Sequence, residues 1–435
     1  MSQFIKNLKT PIAIIGMGKS GEAAVRLLRA AGVAQSYITT FDAKSPLAMF
    51  QEPSRLIREV NPQTLVVSPG VPLKTSWLQE AGQRGVKITS ELSLACSVLE
   101  DEKIIGVTGA LGKSTTVSIL GAGLGAFCTS YFVGGNLGIP FSHYAAEILE
   151  NKRKRAEWVV LELSSYQLEN CENLALEFSA ITYLTSNHLE RYNNLSHYYE
   201  TKWSIFARTR KLLFLNKNGG DLASFAAQKN PDPERTIVVS PHTKSLSNQQ
   251  LHTAKLIGIH NQDNLALAAS LALAAGWPLS SIEGMKSFAG LEHRLENMGT
   301  INGVRFINDS KATALDSVVI ATAAAMENLE REGNLFLLLG GRDKNLPWEE
   351  LQTLNKHKNI EFVFFGECRA VAQTKSSLPG NTFEALGEAV NFVLSKVKPK
   401  DTVLLSPGGT SLDEFKSFED RGLFFKNKVC SYGSN

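Results

Sequence analysis

Several features that would assign a chain to a specialised class are scarce in this sequence. Its 435 residues include only five scattered cysteines, without the paired spacing of a zinc site, so we expect reduced thiols. No run reaches the ~20 apolar residues of a membrane span, and residues 1–10 lack the apolar segment of a signal peptide. A formal net charge of +3 is too small to favour nucleic acid or a membrane as a partner. We therefore expect a cytoplasmic protein, and a monomer.

The most informative segment is residues 104–116, where an apolar β-branched run leads into a glycine-rich turn and a helix-like stretch. The turn contains a G-x-x-G-K-S core rather than the full spacing of a phosphate loop. Glycines allow backbone N–H groups to converge on phosphate oxygens, and the helix N-terminus adds partial positive charge. Lys113 can neutralise the β- and γ-phosphates, and Ser114 can offer its hydroxyl to Mg²⁺. The segment predicts an ATP or GTP site.

A second glycine turn lies near the N-terminus, after a predicted strand at residues 11–15. Gly16, Gly18 and Gly21 follow the pattern G-x-G-x-x-G, and Asp42 comes about 20 residues later, as in a dinucleotide-binding fingerprint. Read literally, this pattern predicts a nicotinamide dehydrogenase. The same geometry serves any nucleotide diphosphate, because it supplies only backbone amides and a nearby carboxylate. The dehydrogenase therefore stays as an alternative.

Strands and helices alternate along the whole chain, which predicts an α/β fold with parallel sheets. The chain is long for one hydrophobic core, and a charged segment at residues 100–103 separates two βα repeats. We predict three domains: a Rossmann-like parallel sheet in residues 1–98, a P-loop ATPase-type α/β domain in residues 99–297, and a Rossmann-like α/β domain in residues 298–435.

Polar side chains follow three predicted strands, where ligands of open α/β sheets collect. Glu162 is placed to ligate the Mg²⁺ of a bound nucleotide, and His188 has an acid nearby and can serve a metal or a phosphate. Asp309 and Lys311 can contact ribose or phosphate. The structural alternatives are an acid at a helix N-terminus, a histidine with a structural role, and a helix cap beside an ion pair.

Taken together, these segments resemble the Mur ligases of peptidoglycan synthesis, and the resemblance covers the whole chain in order. Residues 308–313, Asn-Asp-Ser-Lys-Ala-Thr, discriminate best, because sister ligases that add other amino acids differ there. The resemblance implies an ATP-dependent ligase that adds D-glutamate to UDP-N-acetylmuramoyl-L-alanine through an acyl phosphate. It rests on residues 16–18, 68–70, 109–114, 134–138, 162–167, 188–192, 258–264, 291–296, 308–313 and 406–422.

The resemblance also implies roles for individual residues. The ATP site would comprise Gly109, Gly112, Lys113, Ser114, Thr115, Asn264, Arg294 and Asp309. Two Mg²⁺ ions would be held by Ser114, Glu162, His188 and Lys202, the last as a carbamate formed with CO₂, and Lys113, Glu162, His188 and Lys202 would be catalytic. The UDP-substrate would be bound by Gly16, Met17, Gly18, Ser20, Asp42, Ser68, Gly70, Asn136, Ser164 and Gln167. D-glutamate would be bound by Lys311, Thr313, Lys344, Ser411 and Phe418.

Four positions depart from the family pattern. Leu111 replaces a usual Asn in the phosphate loop, Asn187 a usual Asp, Ser93 a usual Glu and Ala314 a usual Asn. None of these changes removes a charged group that the resemblance assigns to the reaction. Besides the dehydrogenase, two alternatives stay open: a sister amide ligase, either another Mur enzyme or one similar to folylpolyglutamate synthetase, and a catalytically inactive paralogue.

Overall fold

A computed structural model describes residues 3–186, 191–247, 249–251, 255–256 and 258–433. The chain divides into two compact units. The first unit contains Met1–Leu251 and Asp263–Lys286, and the second contains His252–Gln262 and Ser287–Asn435. No helix in the described part of the chain combines the length and the apolar composition needed to cross a bilayer.

The first unit begins with a four-stranded parallel sheet in the order β2-β1-β3-β4. Its inner strands β1 and β3 are buried along their whole length, because helices cover both faces, and apolar residues therefore run continuously along them. The strands are β1 (Ile12–Ile15), β2 (Ile38–Phe41), β3 (Thr64–Val67) and β4 (Lys87–Ser90). The helices are α1 (Gln3–Lys6), α2 (Lys19–Ala30), α3 (Pro53–Val60), α4 (Ser76–Gln83) and α5 (Glu91–Cys96).

The same unit contains a six-stranded parallel sheet in the order β10-β9-β8-β5-β7-β6, with β5 between β8 and β7. The strands are β5 (Lys103–Thr108), β6 (Tyr131–Gly135), β7 (Trp158–Glu162), β8 (Leu176–Ile181), β9 (Thr209–Asn216) and β10 (Thr236–Val239). The helices are α6 (Lys113–Gly125), α7 (Phe141–Leu149), α8 (Ser165–Glu169), α9 (Leu195–Trp203), α10 (Leu222–Lys229), α11 (Ile259–Ala274) and α12 (Leu279–Ser287), of which residues 263–286 belong to this unit.

The two sheets of the first unit share one hydrophobic core. Buried apolar side chains of α2 and α5 lie in the same cluster as those of α7, β5 and β7. Arg26 of α2 donates two hydrogen bonds to the Glu150 carboxylate, at 2.9 and 2.7 Å. The buried Glu91 carboxylate accepts the backbone N–H of Ser142 at the start of α7, at 2.8 Å. The N-terminal sheet is therefore fixed to the central sheet by packing and by polar contacts, of which that of Glu91 is buried.

The second unit is built on a six-stranded sheet in the order β11-β12-β16-β13-β14-β15, in which only β11 runs antiparallel to its neighbour. Apolar side chains pack on both faces of this sheet. The strands are β11 (Glu296–Ile301), β12 (Val304–Asn308), β13 (Leu335–Gly340), β14 (Ile360–Phe365), β15 (Gly380–Phe383) and β16 (Thr402–Gly408). The helices are α13 (Leu315–Glu327), α14 (Arg369–Ser376), α15 (Leu386–Lys396) and α16 (Phe418–Gly433).

The predicted α/β class with parallel sheets is confirmed. Three strands were not predicted, and each has a weak sequence signal: β6 ends in two glycines, and β11 and β15 are largely polar and partly exposed. Such strands lack the buried apolar run on which the predictions relied. The predicted boundary between residues 297 and 298 falls inside β11, and the three domain ranges stay a prediction.

Candidate active site

The phosphate loop connects β5 to α6 at the carboxyl edge of the central sheet. Gly109 and Gly112 both have positive φ values, +150° and +81°. A Cβ at Gly112 would lie 2.5 Å from Asn264 Oδ1, and one at Gly109 would collide with the Thr182 hydroxyl. The turn therefore requires glycine at both positions, for backbone conformation and for space.

The N-terminus of α6 presents the predicted nucleotide-binding residues together. Lys113 is the first residue of the helix, and its Nζ donates to the Ala110 carbonyl at 3.0 Å. Ser114 is buried in the same turn, next to Thr115. Asn264 Oδ1 accepts the Thr116 hydroxyl at 3.3 Å, which places Asn264 beside the loop. The arrangement suits an anion, because the N-terminal turn of a helix and a lysine side chain meet at one point.

Glu162 lies at the end of β7, in register with Val107 of β5 and Gly135 of β6. Its side chain is 2% exposed. One carboxylate oxygen accepts the Asn136 amide at 2.6 Å, whereas Oε2 has no hydrogen-bond partner among the described residues. A buried carboxylate oxygen without a partner is costly, so this oxygen is suited to a cation.

Lys202 of α9 reaches the same edge. Its side chain is 2% exposed, and Nζ donates to the Gly109 carbonyl at 2.7 Å and lies 4.8 Å from the centre of the Tyr198 ring. Burial and the nearby Lys113 charge lower the pKa of this amine well below its usual value, although the Glu162 charge acts in the opposite direction. Residue-level reasoning did not single out Lys202, because nothing in its local sequence distinguishes it from a surface lysine.

The predicted metal ligand His188 lies outside the described residues, as do Asn187 and Glu190. The structure therefore brings together the phosphate loop, Glu162 and Lys202, and His188 stays a prediction. Of the residues predicted to hold the muramoyl substrate, Asn136 lies against Glu162. Ser164 and Gln167 form a reciprocal capping box at the start of α8, so both have a structural role there as well.

The N-terminal glycine turn follows β1, at the topological switch point of the first sheet. The chain places β2 on one side of β1 and then crosses to place β3 on the other side. The Ser68 hydroxyl donates to the Gly16 carbonyl at 2.7 Å. Asp42 accepts the Met17 N–H at 2.8 Å, and backbone N–H groups hold the pKa of its carboxyl below the usual value. Of the other predicted residues, Gly18 is the N-cap of α2, Ser20 lies in the first turn of that helix, and Gly70 lies in the turn after β3.

In the second unit, Asp309 follows β12 and is buried. Its two oxygens accept the Leu295 N–H at 3.1 Å and the Ser406 hydroxyl at 2.9 Å. Burial raises the pKa of this carboxyl to about 7, although its hydrogen bonds and the nearby Arg294 and Arg421 charges favour the ionised form. Asp309 therefore titrates near neutral pH, which is unusual for an aspartate.

Lys311 and Phe418 lie together, because the Lys311 ammonium sits 3.7 Å from the centre of the Phe418 ring. Ser411 is buried on the turn after β16, whereas Thr313 and Lys344 are exposed. Backbone hydrogen bonds between Arg342 and Thr410 join the turn that carries Lys344 to the turn that carries Ser411. The five residues predicted to bind D-glutamate thus lie on three neighbouring segments of the second unit.

Sequence reasoning missed Arg421, which connects the segment that carries Lys311 to the turn that carries Ser411. Its side chain is fully buried in α16. The guanidinium donates to the Ser310 hydroxyl at 3.1 Å, to the Ser310 carbonyl at 2.8 Å and to the Gly409 carbonyl at 3.2 Å. Burial lowers the pKa of this arginine to about 10. No sequence signal could identify Arg421, because its partners come from distant loops.

The titration of Asp309 gives a testable pH dependence of stability. Its pKa of about 7 in the folded chain exceeds the usual aspartate value, so the folded state holds an extra proton between about pH 4 and pH 7. Stability therefore decreases as pH rises through that window, by at most about 1.4 kcal/mol per pH unit from this group. Urea unfolding between pH 5 and pH 8 should show this decrease, and Asp309→Asn should reduce it. Parallel pH profiles for the two proteins would contradict the assignment.

The comparisons with known proteins agree with this geometry. The Mur ligase middle domain matches residues 107–272, which contain the phosphate loop, Glu162 and Lys202. Among solved structures, MurF ligase from Thermotoga maritima in complex with ADP aligns with 98% of this chain and 97% of its own, with a TM-score of 0.60 and 15% identity. UDP-N-acetylmuramate-alanine ligase MurC from the same organism covers 98% and 100%, with a TM-score of 0.56 and 16% identity. The fold and this site define a ligase of the Mur type.

Sequence relatives make the assignment more specific. The UDP-N-acetylmuramoylalanine--D-glutamate ligase of Anaeromyxobacter dehalogenans is 33% identical in an alignment 456 residues long that covers 96% of each chain. The protein of the same name from Haemophilus influenzae is 33% identical over 438 residues, covering 94% of this chain and 96% of that one. This chain belongs to the family of UDP-N-acetylmuramoylalanine--D-glutamate ligases.

Proposed function

We propose that this protein is an ATP-dependent ligase that joins D-glutamate to the alanyl carboxylate of UDP-N-acetylmuramoyl-L-alanine in peptidoglycan precursor synthesis. One observation carries the proposal: Lys113, Glu162 and Lys202 meet at one sheet edge, in a chain that matches the named ligases over 96% of its length. A nicotinamide dehydrogenase, the alternative, would give no role to the phosphate loop, Glu162 and Lys202 at that edge.

ATP would bind with its phosphates at the N-terminus of α6. The loop amides, Lys113 and the hydroxyls of Ser114 and Thr115 would contact the phosphate oxygens, because they share the first turn of that helix. Asn264, Arg294 and Asp309 would contact the rest of the nucleotide. Asn264 already lies at the phosphate loop, within 3.3 Å of the Thr116 hydroxyl.

The residues present fit Mg²⁺. Glu162 Oε2 is a buried anionic oxygen without a partner among the described residues, and the buried Ser114 hydroxyl lies at the start of α6. These two side chains would hold one ion, and His188 with Lys202 the second. Bound Mg²⁺ would neutralise phosphate charge and make the γ-phosphorus a better electrophile.

Lys202 would serve as a carbamate formed with CO₂. Only an uncharged amine reacts with CO₂, and the buried position of Lys202 beside Lys113 lowers its pKa and so favours the uncharged form. The carbamate would give this position a negatively charged, metal-binding oxygen pair. A neutral amine alone offers no oxygen ligand to Mg²⁺.

The UDP-substrate would lie in the first unit, along the carboxyl ends of the strands of its two sheets. Its uracil and diphosphate would bind at the turns carrying Gly16 and Ser68, together with Met17, Gly18, Ser20, Asp42 and Gly70. Its muramoyl-alanyl end would reach Asn136, Ser164 and Gln167. D-glutamate would bind in the second unit at Lys311, Thr313, Lys344, Ser411 and Phe418, where the Lys311 ammonium offers charge to an amino-acid carboxylate.

The chemistry follows from these positions. The alanyl carboxylate attacks the γ-phosphate of ATP, while Lys113 and the α6 amides stabilise the charge that develops on the transferred oxygens. The glutamate amine then attacks the acyl phosphate, and the tetrahedral intermediate expels phosphate. Water must be excluded, because the acyl phosphate would otherwise hydrolyse.

Phosphate release in the presence of ATP, Mg²⁺ and UDP-N-acetylmuramoyl-L-alanine tests the proposal. D-glutamate, L-glutamate, lysine and diaminopimelate are compared as acceptors. We expect release with D-glutamate alone. Release with another amino acid would retain the mechanism and overturn the specificity, whereas ATP binding without release would favour the inactive paralogue.

Leu111 gives a further prediction about ATP affinity. Leu111 stands where related loops have Asn. Its backbone carbonyl accepts the Thr182 hydroxyl, so the backbone at this position is already fixed. Leu111→Asn should lower the Michaelis constant for ATP about twofold to twelvefold, the effect of one added hydrogen bond of about 0.5–1.5 kcal/mol. Leu279→Asn, at an exposed leucine of α12, is the matched control. An unchanged constant in Leu111→Asn would show that this position does not contact the nucleotide.

A further inference from the structure

Arg191 is a nearly buried arginine that the reaction as described above does not use. Its side chain is 7% exposed. One terminal nitrogen donates to the Pro69 carbonyl at 3.0 Å, and the other donates to the Val71 carbonyl at 3.2 Å and to a Glu169 carboxylate oxygen at 3.1 Å. The guanidinium also lies 4.2 Å from the centre of the Tyr166 ring. These donor contacts thus reach two segments of the first unit.

Those two segments are the ones proposed to bind opposite ends of the UDP-substrate. Pro69 and Val71 flank Gly70 in the turn after β3, which is closed by the Val71 N–H to Ser68 carbonyl hydrogen bond at 3.0 Å. Tyr166 and Glu169 belong to α8, whose capping box is formed by Ser164 and Gln167. One cation therefore connects a turn of the N-terminal sheet to a helix of the central sheet.

The geometry requires an arginine. The planar Arg191 guanidinium donates from two nitrogens, at a fixed angle, to the carbonyls of Pro69 and Val71. At the same time its flat face stacks on the Tyr166 ring. A lysine at this position would keep the charge, but a single ammonium cannot maintain both carbonyl contacts and the stacking at once. The contact with Glu169 compensates the buried charge.

We propose that Arg191 is a positioning residue for the UDP-substrate. It fixes the turn at residues 68–71 relative to α8, and so sets the spacing between the site for the uridine diphosphate and the site for the muramoyl-alanyl group. This inference rests on the proposed function, because it assigns the substrate to those two segments. It does not involve ATP, because the contacts that the described part of the chain gives the Arg191 guanidinium lie in the turn after β3 and in α8, away from the phosphate loop.

The test compares Arg191→Lys with Arg208→Lys. Arg208 is a matched control, because its guanidinium also donates to backbone carbonyls at the end of α8, Leu168 at 3.2 Å and Cys171 at 3.3 Å, without contacting the turn at residues 68–71. Calorimetry gives the affinity for UDP-N-acetylmuramoyl-L-alanine and for ATP, and steady-state assays give kcat and KM. We expect Arg191→Lys to raise KM and Kd for the UDP-substrate about tenfold, with the ATP constants unchanged, and Arg208→Lys to alter neither.

The possible outcomes separate this inference from the proposed function. If the wild-type chain does not bind the UDP-substrate, the proposed function fails. If wild type binds and Arg191→Lys binds equally well, or loses ATP affinity by the same factor, the positioning role is overturned. Should Arg191→Lys fold poorly, Glu169→Gln removes the carboxylate partner and leaves the arginine in place. That variant should raise KM for the UDP-substrate in the same direction, by a smaller factor, and no change would also overturn the proposal.

Discussion

Lys202→Met should reduce ligase turnover by at least about a thousandfold while leaving the chain as stable as wild type or more stable. Methionine has nearly the same length, and it removes a buried amine whose charged form is disfavoured by burial and by the nearby Lys113 charge. It cannot form a carbamate. Phosphate release and thermal unfolding, measured on the same preparation, test both parts.

Two controls separate a specific role of Lys202 from a general effect of removing a lysine. Lys211→Met changes an exposed lysine of β9 that pairs with Glu177, and it should leave turnover unchanged. Depleting CO₂ from the wild-type enzyme should lower its activity, and bicarbonate should restore it. Full activity of Lys202→Met, or activity that does not respond to CO₂ depletion, would exclude the carbamate.

Arg421→Met should destabilise the chain by about 3–5 kcal/mol, because it removes every hydrogen bond that a fully buried guanidinium donates. The carbonyls of Ser310 and Gly409 and the Ser310 hydroxyl would lose that buried donor. Urea unfolding measures the loss, and the KM for D-glutamate should rise as well, since Ser310 precedes Lys311.

The control for this substitution is Arg305→Met. Arg305 is a partly exposed arginine in the same unit whose guanidinium donates one longer hydrogen bond, to the Asn328 carbonyl at 3.4 Å. Its replacement should cost less than about 1 kcal/mol. Equal losses in the free energy of unfolding for Arg421→Met and Arg305→Met would show that the three hydrogen bonds of Arg421 contribute no more to stability than the single hydrogen bond of Arg305.

The parts of the site that the sequence predicts are those in which local chemistry is sufficient. A phosphate loop needs glycines, a lysine and a helix start within a few residues, so the turn at Gly109 and Gly112 could be identified directly. Glu162 could be placed because parallel strands end at a common edge, and the register of β7 with β5 puts it there. The roles of the phosphate loop and of Glu162 in the reaction stay predictions.

Other parts of the site depend on packing between distant segments. Lys202, Arg191 and Arg421 are distinguished by burial and by partners that lie far away in sequence, and a single sequence contains neither. The resemblance to the Mur ligases identified Lys202, but it assigned no role to the two arginines, although they lie in segments 188–192 and 406–422 on which it rests. Strand β11 was missed for a related reason, because its half-exposed, polar residues pair with β12 only in the folded sheet.

The central claim is that the alanyl carboxylate is activated by transfer of the γ-phosphate at the edge formed by the phosphate loop, Glu162 and Lys202. The most direct measurement uses UDP-N-acetylmuramoyl-L-alanine with heavy oxygen in the alanyl carboxylate, incubated with ATP, Mg²⁺ and D-glutamate. An acyl phosphate requires one labelled oxygen to leave with the phosphate, and we expect the released phosphate to carry it. Unlabelled phosphate, formed together with the amide product, would contradict this account.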